Sequence, residues 1–257
     1  MPYAVSIVPV APLRADSSHR AEMVSQLLLC EGGWILEETK DFIRLSCLHD
    51  QYEGWCQRSQ LVIIDAWPAS LNGSVLVGEW TAKVMINSIP AHAPLGAPIP
   101  DKSAILLGPY EIRYDNIQSW DAGTAAFNAD LLAEKAKLFL NTSYLWGGRS
   151  VFGIDCSGFT QLIYRFFQFN LLRDAWQQAT QGEAIGFLQE AACGDLAFFD
   201  NPEGRITHVG ILLNDHTIIH SSGKVRIDNI DSEGIIRSDT RERTHKLRVI
   251  KRYFPKP

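Results

Sequence analysis

Short runs in which apolar and polar residues alternate dominate the first half of the chain. From Gly32 the stretch GGWILEETKDFIRLSCLHDQYEGWCQRSQLVII sets apolar positions between turn-forming residues at the period of half-buried strands. Ile35, Phe42, Ile43, Leu45 and Trp55 are expected to fill a small all-β barrel over residues 1–65. Further short runs, SVLVGEW, KVMINSI, AILLG and YEIRY, lie between Gly73 and Tyr114 and predict a second, less regular barrel over 66–127. Gly and Pro gather in PAHAPLGAPIPDKSAILLGP, which reads as loop inside that β-rich region.

Near Asn128 the period changes. In ADLLAEKAKLFLN, Leu132, Ala136, Phe139 and Leu140 fall at helical spacing. Phe159, Leu162, Ile163, Phe166 and Phe167 form a stronger helical stripe, which puts Cys156 on the first turn of a helix. Then DLAFFD, ITHVGILL and TIIHSS, separated by turns at NPEG and NDH, predict an antiparallel meander. Helices followed by antiparallel strands predict an α+β domain over 128–257.

Composition narrows the partners. The 257 residues leave room for several domains with ample core. A net charge of −5 argues against nucleic acid, which is bound by clustered Lys and Arg. No apolar run approaches the ~20 residues a membrane-spanning helix needs, so no membrane partner is expected. The opening MPYAVSIVPVAPLRADSSHR lacks a basic start and is broken by prolines, so a cytoplasmic location is expected, or an exported one if a leader has been trimmed away. Cys30, Cys47, Cys56, Cys156 and Cys193 are odd in number and scattered, unlike a disulfide framework.

The chemistry gathers at YLWGGRSVFGIDCSGF. A thiol at a helix start gains from the positive end of the helix dipole and, given a nearby imidazole, becomes a nucleophile. His208 and His220 are the candidates. If Asn214, Asp215 and His216 form the loop, Gly210 lies opposite His220, and His208 is its diagonal neighbour on the same face. His208 is then the base and His220 the residue that orients it. A zinc site made of the same three residues lacks a fourth ligand, so no metal and no cofactor are expected. His19, His49, His92, His216 and His245 read as surface or turn residues, and the other four cysteines as small core hydrophobes.

Four blocks in order, YLWGG…DCSGF, GDLAFF, THVGILL and IIHSSG, resemble the NlpC-type cell-wall cysteine peptidases, a papain-like family, over roughly Asp130 to Tyr253. The resemblance implies a Cys156–His208–His220 triad acting on murein stem peptides. It implies that Tyr144 lies near the oxyanion position and that Asp155 and Ser157 line the substrate pocket. LRDAWQQ matches a further block and places Arg173 and Asp174 near the groove. The N-terminal half resembles the bacterial SH3-like barrels of one branch, which cuts the γ-D-glutamyl–diamino-acid bond of peptides with a free N-terminal L-Ala. There a Glu and a Tyr help to close the amine pocket. The resemblance carries those roles to Glu22 and Tyr52, with Glu31 as the substitute for Glu22. The family usually has Gly where Cys30 stands.

The expected protein is a cysteine endopeptidase for L-Ala-γ-D-Glu-diaminopimelate-like peptides in peptidoglycan recycling, with the Asp155 carboxylate meeting the substrate ammonium. Two other readings stand beside it: an inactive wall-fragment-binding protein built on SH3-like barrels, and an N-acetylmuramoyl amidase on the same fold.

Overall fold

The computed structural model describes residues 2–101 and 103–254; the expected outer limits at 1 and 257, and position 102 of the expected second barrel, lie outside them. The chain divides into two compact units. The first runs through Ala125 and includes Trp146–Val151 and Arg165–Gln168; the second takes Ala126–Leu145, Phe152–Tyr164 and the chain from Phe169.

In the first unit, an antiparallel sheet has the order Met23–Leu28, Val10–Arg14, Glu53–Gln57, Phe42–Cys47, Gly32–Glu38, Tyr3–Ser6, Leu61–Ile64. Alternation places Ile35, Ile43 and Leu45 in its core, as the sequence predicts, and Leu13 packs with them. Trp55 departs from that expectation. The strand Glu53–Gln57 turns Gly54 and Cys56 inward, and the intervening Trp55 stays half-buried on the other face. Residues 66–125 form a separate four-stranded antiparallel sheet, Ile89–Pro94, Thr81–Ile86, Tyr110–Tyr114, Ala104–Leu107. A two-stranded ribbon of Val75–Val77 with Ser119–Asp121 accompanies it.

The second unit starts with the helix Ala129–Lys137, whose first turn is capped by the Asn128 side chain accepting the Leu131 N–H at 3.0 Å. Leu132 and Ala136 are buried on its inner face; the helix ends at Lys137, so Leu140 lies beyond it and is exposed. The stripe from Phe159 builds the helix Cys156–Arg165, buried along nearly its whole length. Phe166 and Phe167 follow its end and are buried too.

The expected meander is present as Leu196–Asp200, Ile206–Leu212 and Thr217–Ser222, and it continues through Lys224–Asp231, Gly234–Ile236 and Arg243–Arg252. Arg243–Arg252 pairs with Leu196–Asp200 on one side and Gly234–Ile236 on the other, so six antiparallel strands close into a barrel. Its core holds Ala197, Phe199, Leu212, Ile218, Ile230 and Ile235. Closure needs a glycine at one point: a Cβ on Gly234 would lie 1.8 Å from the His245 carbonyl oxygen.

Candidate active site

Asp155 precedes the Cys156 helix and anchors its start. Its carboxylate accepts the Gly158 N–H at 2.6 Å, and its carbonyl accepts the Phe159 N–H at 3.0 Å. Cys156 follows, only 7% exposed. Burial, and after it the Asp155 charge, pushes the thiol up to about 12, opposed by the Val209 N–H, the Arg173 charge and the Ser157 N–H. The Val209 contact ties the sulfur to the next strand, one residue along from His208.

That strand and its neighbour have the register the parity argument requires. Leu212 faces Ile218, and the Leu213 N–H donates to the Thr217 carbonyl at 2.9 Å across a three-residue loop. Gly210 therefore stands opposite His220, where an added Cβ would come within 2.8 Å of the His220 Cβ. The two imidazoles meet, His208 Nε2 to His220 Nδ1, at 2.8 Å. Both are buried, and burial pulls each below the ordinary imidazole value, so both are neutral near pH 7.

Sequence reasoning missed two residues here. Asp228, fully buried on the strand Lys224–Asp231, lies 3.0 Å from His220 Nε2. Arg226 Nε at 2.7 Å and the Ser238 N–H at 2.8 Å also bond its carboxylate. Burial alone would raise this carboxyl, but the bonds from His220, Arg226 and Ser238 hold it well below the usual carboxylate range. His245, expected at the surface, is half-buried on the closing strand, its ring stacked on His208 with centroids 4.1 Å apart. Burial brings it to about 4. The same-face series His245, Leu247, Val249 was the available signal for it. For Asp228 the parity step from His220 across the next tight turn was available.

Tyr144 is half-buried and lines a cavity of about 250 Å³ together with Thr207, His208, Ser221, Ser222 and His245. Burial, then the nearby Cys156 and Asp155, holds its hydroxyl above the usual phenol value, so it is a neutral donor. Asp155 is placed differently from the expectation. Arg173 meets its carboxylate at 2.6 and 3.1 Å and also donates to the Ser157 hydroxyl at 2.9 Å. The charge beside the nucleophile is thus matched within the chain, and Arg173 is buried against it. Asp174 heads the short helix Ala175–Gln178 in a capping box with Gln177.

Glu22 and Tyr52 belong to the first unit. Glu22 is exposed and accepts the Trp146 indole N–H at 2.6 Å. Tyr52 is half-buried, its backbone N–H on Asp50 at 3.0 Å. Glu31 does not substitute for Glu22 in presenting a carboxylate: it is buried between Arg149, at 3.0 Å, and Arg165, with the Leu28 N–H on the same side chain at 2.9 Å. Among the described residues, Cys47, His49 and Asp50 offer ligand atoms within 4.8 Å of one another. Asp50 is already bonded to His49 at 3.1 Å, and the Arg149 charge acts on both Asp50 and Cys47, which disfavours a cation there.

A buried thiol at a helix start, tied to a strand whose histidine is paired to a second one, defines the class: a cysteine-type peptidase. Residues 141–244 match the NlpC/P60 family, and residues 13–61 match the bacterial dipeptidyl-peptidase SH3 domain. The chain thus carries a bacterial SH3 domain ahead of an NlpC/P60 domain. It is 29% identical over 228 residues to a gamma-D-glutamyl-L-lysine dipeptidyl-peptidase of Bacillus cereus, covering 78% of this chain and 67% of that protein. To dipeptidyl-peptidase 6 of Lysinibacillus sphaericus it is 25% identical over 263 residues, covering 90% and 92%. A crystal structure of an NlpC/P60 family protein from Bacillus cereus superposes with a TM-score of 0.78 at 22% identity, covering 98% of this chain and all of that one.

Proposed function

We propose that this protein is a cysteine endopeptidase that hydrolyses the γ-D-Glu–diamino-acid bond of murein peptides with a free N-terminal L-Ala, in peptidoglycan turnover and recycling. One observation carries the reading: the His208–His220 pair at 2.8 Å, beside a helix-start thiol held by the Val209 N–H. His208 takes the Cys156 proton as sulfur attacks the γ-carbonyl, and returns it to the departing amine. Water then enters by the same route and releases the γ-D-Glu carboxylate. Thiol and imidazole are each neutral alone. The proton that passes between them creates adjacent opposite charges that offset the cost of burial. The Tyr144 hydroxyl, a neutral donor lining the same cavity as His208, stabilises the developing oxyanion. The relatives' printed names, gamma-D-glutamyl-L-lysine dipeptidyl-peptidase among them, support this bond class.

The test is mass spectrometry of products from a muropeptide mixture, with free and N-acetylated L-Ala-γ-D-Glu-diaminopimelate alongside. Release of L-Ala-γ-D-Glu from the free peptide alone is expected, and Cys156→Ala should abolish it while the barrel stays folded. Release of stem peptide from muramic acid would instead mark an amidase. Turnover by Cys156→Ala at the wild-type rate would remove the mechanism.

A further inference from the structure

We propose that Asp228 is a positioning residue of this site: its carboxylate fixes the tautomers of His220 and then of His208, leaving the basic nitrogen of His208 free for the Cys156 thiol. The proposal rests on the cysteine-peptidase reading above.

The argument starts from what a carboxylate can do. Asp228 is buried and ion-paired with Arg226, whose Nη2 and the Ser238 N–H both donate to Oδ1. It stays ionised, and an ionised carboxylate only accepts hydrogen bonds. His220 Nε2, 3.0 Å away, must then carry the proton. A neutral imidazole has a single N–H, so His220 Nδ1 is a bare acceptor. His208 Nε2 lies 2.8 Å from it and must be the donor. The one remaining ring nitrogen, His208 Nδ1, is left with its lone pair. One anion thus sets two rings in series.

The strand register makes the series continuous. His220 faces Arg226, and Ile218 faces Asp228, so Asp228 is a diagonal neighbour of His220, as His220 is of His208. The three side chains step across three adjacent strands on the barrel's inner face, where Ile218, Leu212 and Ile230 form the apolar floor. When the Sγ–H bond breaks, the proton goes to His208 Nδ1 and the sulfur electron pair to the carbonyl carbon. The new positive charge on His208 is then linked through His220 to the fixed negative charge of Asp228. Without that anion His220 can reverse, donate from Nδ1 to His208 Nε2, and force the His208 proton onto Nδ1. His208 would then face the thiol as a donor and could not accept its proton.

The groups that share this environment are few. His220, His245 and Phe199 surround His208, with Tyr144 across the cavity; Asp155 and Arg173 act on the thiol; Arg226 acts on Asp228, with Asp239 and Arg237 beyond it. Burial keeps His245 uncharged until about pH 4, so it does not titrate near neutrality.

Two measurements decide the matter, and neither depends on the substrate. In wild-type protein labelled with nitrogen-15 at histidine, long-range proton–nitrogen correlation near pH 7 should show His208 and His220 both protonated at Nε2. Finding His208 protonated at Nδ1 would overturn the proposal whatever the enzyme cleaves. In Asp228→Asn, the pH profile of Cys156 alkylation should move upward by about one unit or more, since the imidazolium that balances the thiolate loses its anion. On a cleaved peptide kcat should fall by about 10²–10⁴, with KM within about threefold. An Asp228→Asn protein whose alkylation profile and kcat match the wild type also overturns it. If that variant does not fold, the wild-type tautomers decide alone. Correct tautomers with no cleavage of any murein peptide would refute the substrate and leave the relay in place.

Discussion

Asp155 and Arg173 show how a charge can stand beside a nucleophile without being offered to a ligand. The pair is buried and bidentate, with Arg173 also on Ser157, so the helix that carries Cys156 is bound to the loop before Asp174. Arg173→Met would strand a buried carboxylate, which costs ~3–5 kcal/mol. The expected result is a large fall in the urea midpoint together with slower alkylation of Cys156, because Asp155 then disfavours the thiolate unopposed. A midpoint close to wild type would mean that Asp155 finds another partner. Cys30 explains a departure at the same scale. It takes φ +65°, a region that favours glycine, and its sulfur lies 3.2 Å from the Tyr114 hydroxyl. A glycine would fit the backbone there without strain; the cysteine adds a buried contact.

At the scale of elements, the meeting of His208 and His220 is a matter of register. A three-residue loop, and not a two-residue one, sets His208 and His220 on one face. Gly210→Ala tests this directly. Its Cβ would crowd the His220 Cβ at 2.8 Å and Ile218 Cδ1 at 2.7 Å, so the imidazole must move. A loss of kcat of about 10²-fold, with the barrel still folded, is the expected outcome, since misplacement by about 1 Å costs that much. Near-normal turnover would show that the ring has room to spare. This register was legible because strand period and loop length alone determine parity. The closing strands were not. Bulges between Ile235 and Ile236, and opposite Phe198 and Phe199, shift the register at which these strands pair, so the alternation of His245, Leu247 and Val249 does not reveal which strands they join. Parity from His220 reaches the face of Asp228 but does not mark it as buried: its charge is satisfied by Arg226, Ser238 and His220 together, and no single stretch of sequence displays that set.

For the whole molecule, the cluster of neutral histidines makes the barrel acid-sensitive. His208, His220 and His245 all have folded pKa values below the ordinary 6.5, His245 at about 4. Below pH 6.5 the unfolded chain therefore takes up protons that the folded barrel does not, and stability falls as pH falls. Each histidine contributes a slope of up to about 1.4 kcal/mol per pH unit, so the three together reach about 4 kcal/mol per unit. His245 stops adding to the loss below about pH 4, where its folded form also protonates. Opening free energies from amide exchange in the strand Ile206–Leu212 should drop steeply between pH 6.5 and 4, and values flat across that window would contradict the assignment. The helices and the first meander could be expected from periodicity; the closure of six strands could not, since it depends on pairings between distant segments.

The closing strand also sets an order of events during synthesis. A ribosome delivers the chain from its amino end, so Cys156, His208, His220 and Asp228 all emerge before Arg243–Arg252. Until that strand arrives, Leu196–Asp200 and Gly234–Ile236 each have only one of their two partners, and His208 lacks the ring that covers it. A nascent chain halted at Thr240 would hold Cys156, His208 and His220 yet have no closed barrel to align them. Cys156, His208 and His220 are brought into register only once Arg243–Arg252 has paired on both sides.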